Sequence, residues 1–177
     1  MKIGVMSDSH DNLTMIRRAL ERFEAEGAEC LIHAGDFVAP FAVQEILKFK
    51  SAAYGCFGNN DGEKAGIRKL WPGIADPPCE LALGGRRILL THDEASLAAH
   101  STLLRAAVSD VERAGAPEML RRAEVVILGH THRPSVRPGA GGGPLRINPG
   151  ECCGWLSGKG TVAILDTATP SARIVEL

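Results

Sequence analysis

Short apolar runs, each ending at a polar residue that could bind a metal ion, recur along this chain. Four of them have the length of a buried strand and lie at residues 3–6, 30–32, 52–57 and 125–128. After the first run, apolar residues recur at the spacing of one helix face, at Leu13, Ile16, Leu20 and Phe23. Pro40, which suits the first turn of a helix, follows the second run. The sequence therefore predicts alternating strands and helices in its first part.

The later part of the chain is richer in strand patterns. Residues 79–83 and 87–91 form a predicted hairpin that turns through Gly84-Gly85. Helices are predicted over residues 94–113 and from Pro117 to residue 123. Four more strands are predicted at residues 135–137, 145–148, 161–166 and 172–175. Helix and strand alternation followed by consecutive strands indicates a mixed sheet, or two sheets, in a layered α/β domain.

Length and charge narrow the kind of protein further. The 177 residues fit a single domain spanning residues 1–177 that can bury a core without disulfides. The 20 basic and 21 acidic residues give a net charge of −1, and the basic residues are scattered as pairs instead of forming a nucleic-acid-binding stripe. No signal-peptide core or membrane-spanning run is evident. We therefore expect a cytoplasmic protein without a nucleic-acid or membrane partner.

The cysteines support this location. There are five of them, an odd number, with no Cys-x-x-Cys spacing. Several lie inside apolar strand patterns, so reduced and buried thiols are the expected state. Cys152 and Cys153 follow the turn at Asn148-Pro149-Gly150, but no neighbouring residue marks either thiol as activated.

The residues that follow the strands carry the chemical signal. Four imidazoles, two carboxylates and one amide form the candidate ligand set Asp8, His10, Asp36, Asn59, His92, His130 and His132. Such a nitrogen and oxygen set without thiolate suits first-row divalent ions better than calcium or a structural zinc site. Ligands gather beyond the carboxyl ends of strands in open α/β sheets, so these distant residues can converge on one pocket. Gly35, Gly58 and Gly129 directly precede three of the ligands and permit sharp turns and close approach.

Two divalent ions in one pocket need a bridging ligand, and Asp36 is the predicted bridge. Two carboxylates against two dications leave a charge of about +2, which favours a phosphate ester and lowers the pKa of bound water. That water is the expected nucleophile. The residues alone thus predict a binuclear metal-dependent hydrolase.

The ordered motifs Asp8-Ser9-His10, Gly35-Asp36, Gly58-Asn59-Asn60-Asp61, Thr91-His92 and Gly129-His130-Thr131-His132 resemble those of the calcineurin-like metallophosphoesterases. The segment Ile147-Asn148-Pro149-Gly150 resembles the small single-domain phosphodiesterase branch of that family. The resemblance implies a four-layer α/β/β/α sandwich of two facing mixed β-sheets flanked by helices. It also implies in-line attack of a metal-bridging hydroxide on a small phosphodiester, with two divalent ions, manganese first and nickel, iron or zinc as alternatives.

The resemblance also assigns the ligands. It implies that one ion is held by Asp8, His10, Asp36 and His132, and the other by Asp36, Asn59, His92 and His130. Asp36, Asn59 and Asn60 become the candidate catalytic residues.

Three positions depart from the family pattern. Many relatives have His where this chain has Asn60, so general-acid assistance worth about 10² to 10⁴-fold is expected to be absent here or supplied elsewhere. A preference for esters with good leaving groups follows. Asp93 and Glu151 replace the usual Gly and Ser and are expected to reshape the pocket rim. The segment 93–123 is longer than usual. It could form a lid or a contact in a homo-oligomer.

The sequence also permits other interpretations. The same fold could serve as a protein-interaction scaffold with a vestigial metal site, and a phosphomonoesterase or a nuclease are further alternatives. His33 is expected to pack or to support a ligand instead of binding a metal, and His100 to be a partly buried histidine. Asp61 could orient a ligand or cap a turn. Trp71 and Trp155 are expected in core or rim packing ahead of substrate stacking.

Overall fold

The computed structural model describes residues 1–95, residue 97 and residues 115–177. Most of the predicted helix at 94–113, with His100, lies outside the described residues. Ten strands form two five-stranded sheets, each with parallel and antiparallel neighbours. The predicted layered α/β class is therefore confirmed.

The first sheet has the order β10-β9-β1-β2-β3. Its strands are β1 (Lys2–Met6), β2 (Cys30–His33), β3 (Ala52–Gly55), β9 (Thr161–Asp166) and β10 (Ser171–Glu176). β1, β2 and β3 are parallel, while β9 runs antiparallel to both β1 and β10. The carboxyl ends of the three parallel strands therefore lie at one edge of this sheet.

The second sheet has the order β4-β5-β6-β8-β7. Its strands are β4 (Cys79–Leu83), β5 (Arg86–Leu90), β6 (Val125–Ile127), β7 (Ser135–Arg137) and β8 (Leu145–Asn148). The predicted hairpin is confirmed as β4 and β5, which turn at Gly84 and Gly85, both with positive φ. β5, β6 and β8 are parallel, so their carboxyl ends also share one edge.

Four helices lie outside the sheets in the part of the chain that the structure describes. They are α1 (Leu13–Ala25), α2 (Pro40–Ile46), α3 (Lys64–Leu70) and α4 (Gly115–Arg122). Asn12 caps α1 by accepting a hydrogen bond from the Met15 amide, and Pro40 opens α2 as expected. The apolar pattern of the sequence does not predict α3, because this helix is short and contains a glycine.

The buried apolar residues form three layers of core. Side chains from both sheets, such as Val5, Ile32, Leu90 and Ile127, pack between the sheets. A second cluster packs α1, α2 and α3 against the outer face of the first sheet, and a third packs α4 against the outer face of the second. This confirms the four-layer α/β/β/α arrangement with two facing sheets. No described helix is long and apolar enough to span a bilayer.

The aromatic and thiol residues follow the expectations in part. Trp71 is buried against Phe37 and donates its indole N–H to the Ala53 carbonyl, so it belongs to the core. Trp155 is 64% exposed, which excludes core packing and leaves it at the surface.

All five cysteines are free thiols, four of them buried and Cys79 half-buried. The expectation of buried thiols holds for four of the five cysteines.

Candidate metal centre

All seven predicted ligands lie just beyond strand ends. Asp8 and His10 follow β1, Asp36 follows β2, and Asn59 lies four residues after β3. His92 follows β5, and His130 and His132 follow β6. The first sheet thus supplies three oxygen ligands and one imidazole, and the second sheet supplies three imidazoles. The two sheets bring these groups together at their shared edge.

One group of side chains surrounds Asn59 and Asp36. The Nε2 atom of His92 lies 2.9 Å from Asn59 Oδ1 and 3.3 Å from Asp36 Oδ2. His130 Nδ1 lies 2.9 Å from the same Asn59 oxygen. These four residues are the set predicted for one ion.

A second group surrounds Asp8. His132 Nε2 lies 3.3 Å from Asp8 Oδ1, His10 Nε2 lies 3.9 Å from it, and the two ring nitrogens are 3.4 Å apart. His10 Nε2 is also 3.8 Å from Asp36 Oδ2. Asp36 therefore contacts both groups, which is the position that a bridging ligand requires.

The Asp8 carboxylate provides a test of whether a cation fits. Its Oδ2 atom accepts a hydrogen bond from the His130 amide, but its fully buried Oδ1 accepts none from the described residues. The nearby His132 ring nitrogen does not form a hydrogen bond with it at 3.3 Å. A buried polar atom without a partner costs about 1 to 3 kcal/mol, so such atoms need an explanation. A cation between Asp8, His10 and His132 would supply the missing partner.

Two of the histidines are held so that one ring nitrogen faces the centre. His92 Nδ1 lies 2.7 Å from the Ala34 carbonyl, which can only accept, so Nδ1 carries the proton. His132 Nδ1 lies 3.0 Å from the Glu151 carboxylate in the same way. Both arrangements leave Nε2 facing the centre as the atom that could bind a metal, as is usual for metal-binding histidines.

The pKa values in the centre reflect strong coupling. Burial alone would raise the pKa of Asp36, but hydrogen bonds from His92 and Asn60 outweigh it and hold that pKa well below its usual range. Burial opposes the charged form of His92, yet Asp36 raises the pKa of His92 to about 9. Burial raises the pKa of Asp8. A cation that binds at His92 competes with a proton there, because an imidazole must be neutral to bind a metal.

The side chain of Asn60 is committed to Asp36. Its amide Nδ2 donates to Asp36 Oδ2 at 2.7 Å, and its backbone N–H donates to Asp36 Oδ1 at 2.8 Å. This geometry makes Asn60 a residue that positions the predicted bridging carboxylate.

Asp61 and His33 support the loops of the first sheet. Asp61 is buried and accepts hydrogen bonds from the backbone amides of Asp36, Val38 and Gly58, so of its two predicted roles it has the orienting one. His33 accepts from the Gly35 amide through Nδ1, which leaves Nε2–H to donate to Ser9 Oγ at 2.9 Å. Both ring nitrogens of His33 are used, and burial lowers its pKa to about 3. These contacts agree with the expectation that His33 supports a ligand loop.

Glu151 supports a predicted ligand, and the sequence pattern does not indicate this role. Its side chain is 1% exposed, so the expectation that it reshapes the pocket rim is wrong. Its carboxylate accepts hydrogen bonds from His132 Nδ1 and from the backbone amides of Leu156 and Ser157. Although burial opposes ionisation, these donors lower the pKa of Glu151 to about 2. An ionised, buried carboxylate therefore orients His132; only the departure from the family pattern pointed to this position.

Asn148 performs a similar task for the neighbouring loop. Its side-chain amide donates to the Gly129 carbonyl at 2.7 Å and to Thr131 Oγ1 at 3.0 Å. Its Oδ1 accepts from the Gly150 amide. The loop that carries His130 and His132 is thus fixed by the end of β8.

Cys153 lies near the centre but is not activated. Its thiol donates to Glu151 Oε2 at 3.2 Å. Burial is the main reason that the pKa of Cys153 is raised to about 12. The protonated thiol agrees with the predicted inert role.

The backbone of the ligand loops is strained. Five of the seven ligand residues have positive φ, namely Asp8, His10, Asp36, His130 and His132. Such conformations cost about 1 to 3 kcal/mol each outside glycine and cluster at functional sites. Their concentration in the ligand loops agrees with the convergence of the side chains on one centre.

Two glycines allow the ligand loops to approach each other. A Cβ on Gly58 would lie 2.1 Å from Asp36 Oδ1, and one on Gly129 would lie 1.9 Å from Ser7 Oγ and 2.8 Å from Asp8 Oδ2. The predicted close approach is therefore between one ligand loop and the next: Gly58 lies against Asp36, and Gly129 lies against Ser7 and Asp8.

Two facing mixed sheets with an oxygen and imidazole centre at their carboxyl edge define a metallohydrolase type of fold, and the comparisons with known proteins give the family. The model of the calcineurin-like phosphoesterase superfamily domain matches residues 1–170. The chain is 36% identical over 183 aligned residues to the Phosphodiesterase MJ0936 of Methanocaldococcus jannaschii, with 100% of this chain and 99% of that protein covered. The chain belongs to the calcineurin-like phosphoesterase superfamily.

Solved structures give the same result. A structure described as a novel archaeal phosphodiesterase matches with a TM-score of 0.79 and 33% identity over 100% of both chains. The phosphoesterase Yfce from E. coli matches with a TM-score of 0.66 and 23% identity, covering 94% of this chain and 89% of its own. Vps29 from Entamoeba histolytica matches with a TM-score of 0.63 at 15% identity, covering 100% of this chain and 99% of its own, which shows the fold alone. The predicted family and enzyme class, a phosphoesterase, are confirmed.

Proposed function

We propose that this chain is a cytoplasmic, binuclear metal-dependent phosphodiesterase that hydrolyses small phosphodiesters. The observation that carries the proposal is the buried Asp8 Oδ1 without a hydrogen bond, flanked by the ring nitrogens of His10 and His132. Asp36 lies between this group and the group of Asn59, His92 and His130. The relative at 36% identity is named a phosphodiesterase, which supports a diester as substrate. Five free thiols favour a reducing compartment.

We assign the ligands by their contacts. One ion would be held by Asp8, His10, Asp36 and His132, and the other by Asp36, Asn59, His92 and His130. The absence of thiolate from this set suits a first-row divalent ion, and the family resemblance makes manganese the first candidate, with nickel, iron or zinc next. Divalent ions bound there would supply a water of lowered pKa and would stabilise the negative charge on the phosphoryl oxygens.

Other groups of the protein orient the ligands and set the charge of the site. His92 and His132 are pre-oriented by the Ala34 carbonyl and by Glu151, and Asn60 holds Asp36. Asp8 and Asp36 offset two of the four positive charges that two dications bring, and the ionised Glu151 beside His132 reduces the remainder to about +1. The site thus keeps an attraction for an anionic phosphate ester.

The position of Asn60 bears on the leaving group. Because its amide donates to Asp36 and has no proton to transfer near neutral pH, it does not act as a general acid. We therefore propose that aryl diesters, whose leaving groups need little protonation, are hydrolysed faster than alkyl diesters. General-acid assistance is worth about 10² to 10⁴-fold, so the difference is measurable.

One panel tests the proposal against its alternatives. Phosphomonoesters, aryl diesters, alkyl diesters, cyclic nucleotides and single-stranded oligonucleotides are assayed with manganese, nickel and zinc. We expect aryl diesters to be the best substrates. Asp36→Ala should lose activity and most bound metal, because both ions lose a ligand, whereas Asp76→Ala, at an exposed carboxylate paired with Arg68, should retain both.

The other outcomes are equally informative. Fastest cleavage of monoesters or oligonucleotides would favour a phosphatase or a nuclease. Full metal content in Asp36→Ala would contradict the bridge. A protein that binds no metal and hydrolyses no ester, but retains a protein partner, would instead be the scaffold.

A further inference from the structure

A cleft of about 680 Å³ opens beside the metal centre on the outer face of the second sheet. Its wall is formed by the ends of β7 and β8, by the loop after β6, and by Asp93 and Glu94. Three arginines line it, Arg133, Arg137 and Arg146. We call this feature the arginine cleft. Asp93, which was expected to reshape the pocket rim, lines this cleft.

The placement of two of these arginines is electrostatically unfavourable by itself. Arg137 on β7 and Arg146 on β8 are direct partners in the antiparallel register. Like charges directly opposite each other on neighbouring strands destabilise a sheet. Arg146 pairs with Glu94, but Arg137 and Arg133 have no carboxylate partner among the described residues. The cleft therefore has cationic groups that the described chain does not neutralise.

The cleft is continuous with the metal centre through one residue. His130 lines the cleft, and its Nδ1 atom is 2.9 Å from Asn59 Oδ1 inside the centre. Gly129 and Thr131, its neighbours in the loop after β6, line the cleft as well. A substrate whose phosphate lies in the centre can therefore extend one arm past His130 into the cleft.

We propose that the arginine cleft binds a second anionic group of the substrate, so that the enzyme prefers small phosphodiesters with a phosphate or carboxylate on one arm. The proposal rests on the proposed phosphodiesterase function. Guanidinium groups suit this role because they bind phosphate and carboxylate with two parallel hydrogen bonds. A second anion would also relieve the repulsion between Arg137 and Arg146.

A matched pair of substrates tests the cleft. Two p-nitrophenyl phosphodiesters are compared, one with an n-butyl arm and one with a 4-phosphonobutyl arm, on the metal-loaded protein. We expect kcat/KM to be about tenfold higher for the charged arm, the effect of one charge-assisted hydrogen bond at a partly exposed site. The ratio should fall when NaCl is raised from 50 to 500 mM, because salt screens exposed charges.

Variants show where the preference arises. Arg137→Gln, and more strongly the double variant Arg133→Gln/Arg137→Gln, should bring the ratio close to one. Arg173→Gln, at an exposed arginine on β10 of the other sheet, should keep the wild-type ratio. Hydrolysis of both diesters at equal rates by the wild type would overturn the arginine cleft and leave the proposed function intact. Faster cleavage of an oligothymidylate than of the charged small diester would overturn the small-molecule assignment.

A binding measurement does not depend on turnover. Inorganic phosphate is titrated into the chelator-treated full chain, and the side-chain Nε–H resonance of Arg137, assigned by its loss in Arg137→Gln, is followed by NMR. We expect this resonance to shift on titration while that of Arg173 does not. No shift of the Arg137 resonance would overturn the cleft. If neither diester is hydrolysed, the proposed function fails and this titration still decides whether the cleft binds anions.

Discussion

The two sheets contribute to the centre in different ways. The first sheet supplies the oxygen ligands Asp8, Asp36 and Asn59 together with His10, whereas the second supplies only the imidazoles His92, His130 and His132. The charged ligands therefore come from one side. The second sheet, which supplies no carboxylate ligand, also lines the arginine cleft.

The loops on the two sides are also held differently. On the first side, Asp61 accepts three backbone N–H groups and His33 connects Ser9 with Gly35. On the second side, Glu151 and Asn148 act on His132 and on the loop beside it, in part through side chains. Backbone anchoring fixes where the bridging carboxylate sits, while side-chain anchoring fixes how an imidazole is turned. Changes that move Asp36 should therefore affect both ions, and changes that turn His132 only one.

The largest effects are expected from filling the space at the two glycines. In Gly58→Ala the new methyl group would overlap the Asp36 carboxylate, so both ions should be lost. In Gly129→Ala it would press on Ser7 and Asp8, so the stoichiometry should fall from two ions per chain towards one. Metal content after dialysis, measured by inductively coupled plasma mass spectrometry, distinguishes the two results.

Gly73→Ala is the matched control for both variants, since no atom lies within 4 Å of its Cβ position and its φ is not positive. It should bind two ions. Circular dichroism checks that each variant is folded. Two ions per chain in folded Gly58→Ala would remove the distinction between the two sides.

The ligands could be predicted from the sequence because each one follows a strand, and strand ends are readable from short apolar runs. Asp36 follows β2 and His130 follows β6, so parallel pairing brings each residue to the carboxyl edge of its own sheet, and the facing of the two sheets brings these edges together. The layered fold followed from the same pattern. The family resemblance added the pairing of ligands with ions.

The supporting residues could not be predicted with the same rules. Glu151 receives hydrogen bonds from His132 and from two amides of an irregular turn, contacts that no periodic pattern encodes. The opposition of Arg137 and Arg146 depends on the register of β7 against β8, which only the folded sheet shows. Register and buried polar contacts are tertiary properties, and the sequence shows only the residues that enter them.

A smaller effect, confined to one ion, is expected from Glu151→Gln. The amide is close to the carboxylate in shape but lacks its charge, so the hydrogen bond from His132 Nδ1–H weakens and His132 becomes a poorer ligand. Removal of such an outer partner typically costs about 10 to 100-fold in metal affinity. Competition titrations with a chelating dye should show one of the two binding steps weakened by this factor.

Glu176→Gln, at an exposed carboxylate paired with Lys159, is the matched control and should leave both steps unchanged. Equal weakening of both steps in Glu151→Gln would show that the second side also acts on the shared Asp36. No weakening of either step would show that the contact between Glu151 and His132 is structural only.

The smallest effect concerns acid stability and His33 on the first side. Burial lowers the pKa of His33 to about 3 in the folded chain, against about 6.5 in an unfolded one. Between these values the unfolded state binds the extra proton, so the stability that His33 contributes is complete above pH 6.5 and is lost as the pH falls towards 3. Each pH unit well below 6.5 should cost about 1.4 kcal/mol in the free energy of unfolding, and the slope should be about half of that at pH 6.5.

Urea unfolding of the metal-free chain at pH 7.0, 6.0 and 5.5 measures this slope. His33→Gln cannot titrate, so its stability should fall less over the same range, even if it is lower at pH 7.0. Since Asp36 and Glu151, whose pKa values are lowered, titrate further down in acid, they contribute little to the difference between the two proteins. Parallel curves for wild type and His33→Gln would mean that His33 is protonated inside the fold, and its hydrogen bonds to Ser9 and Gly35 would have to be reassigned.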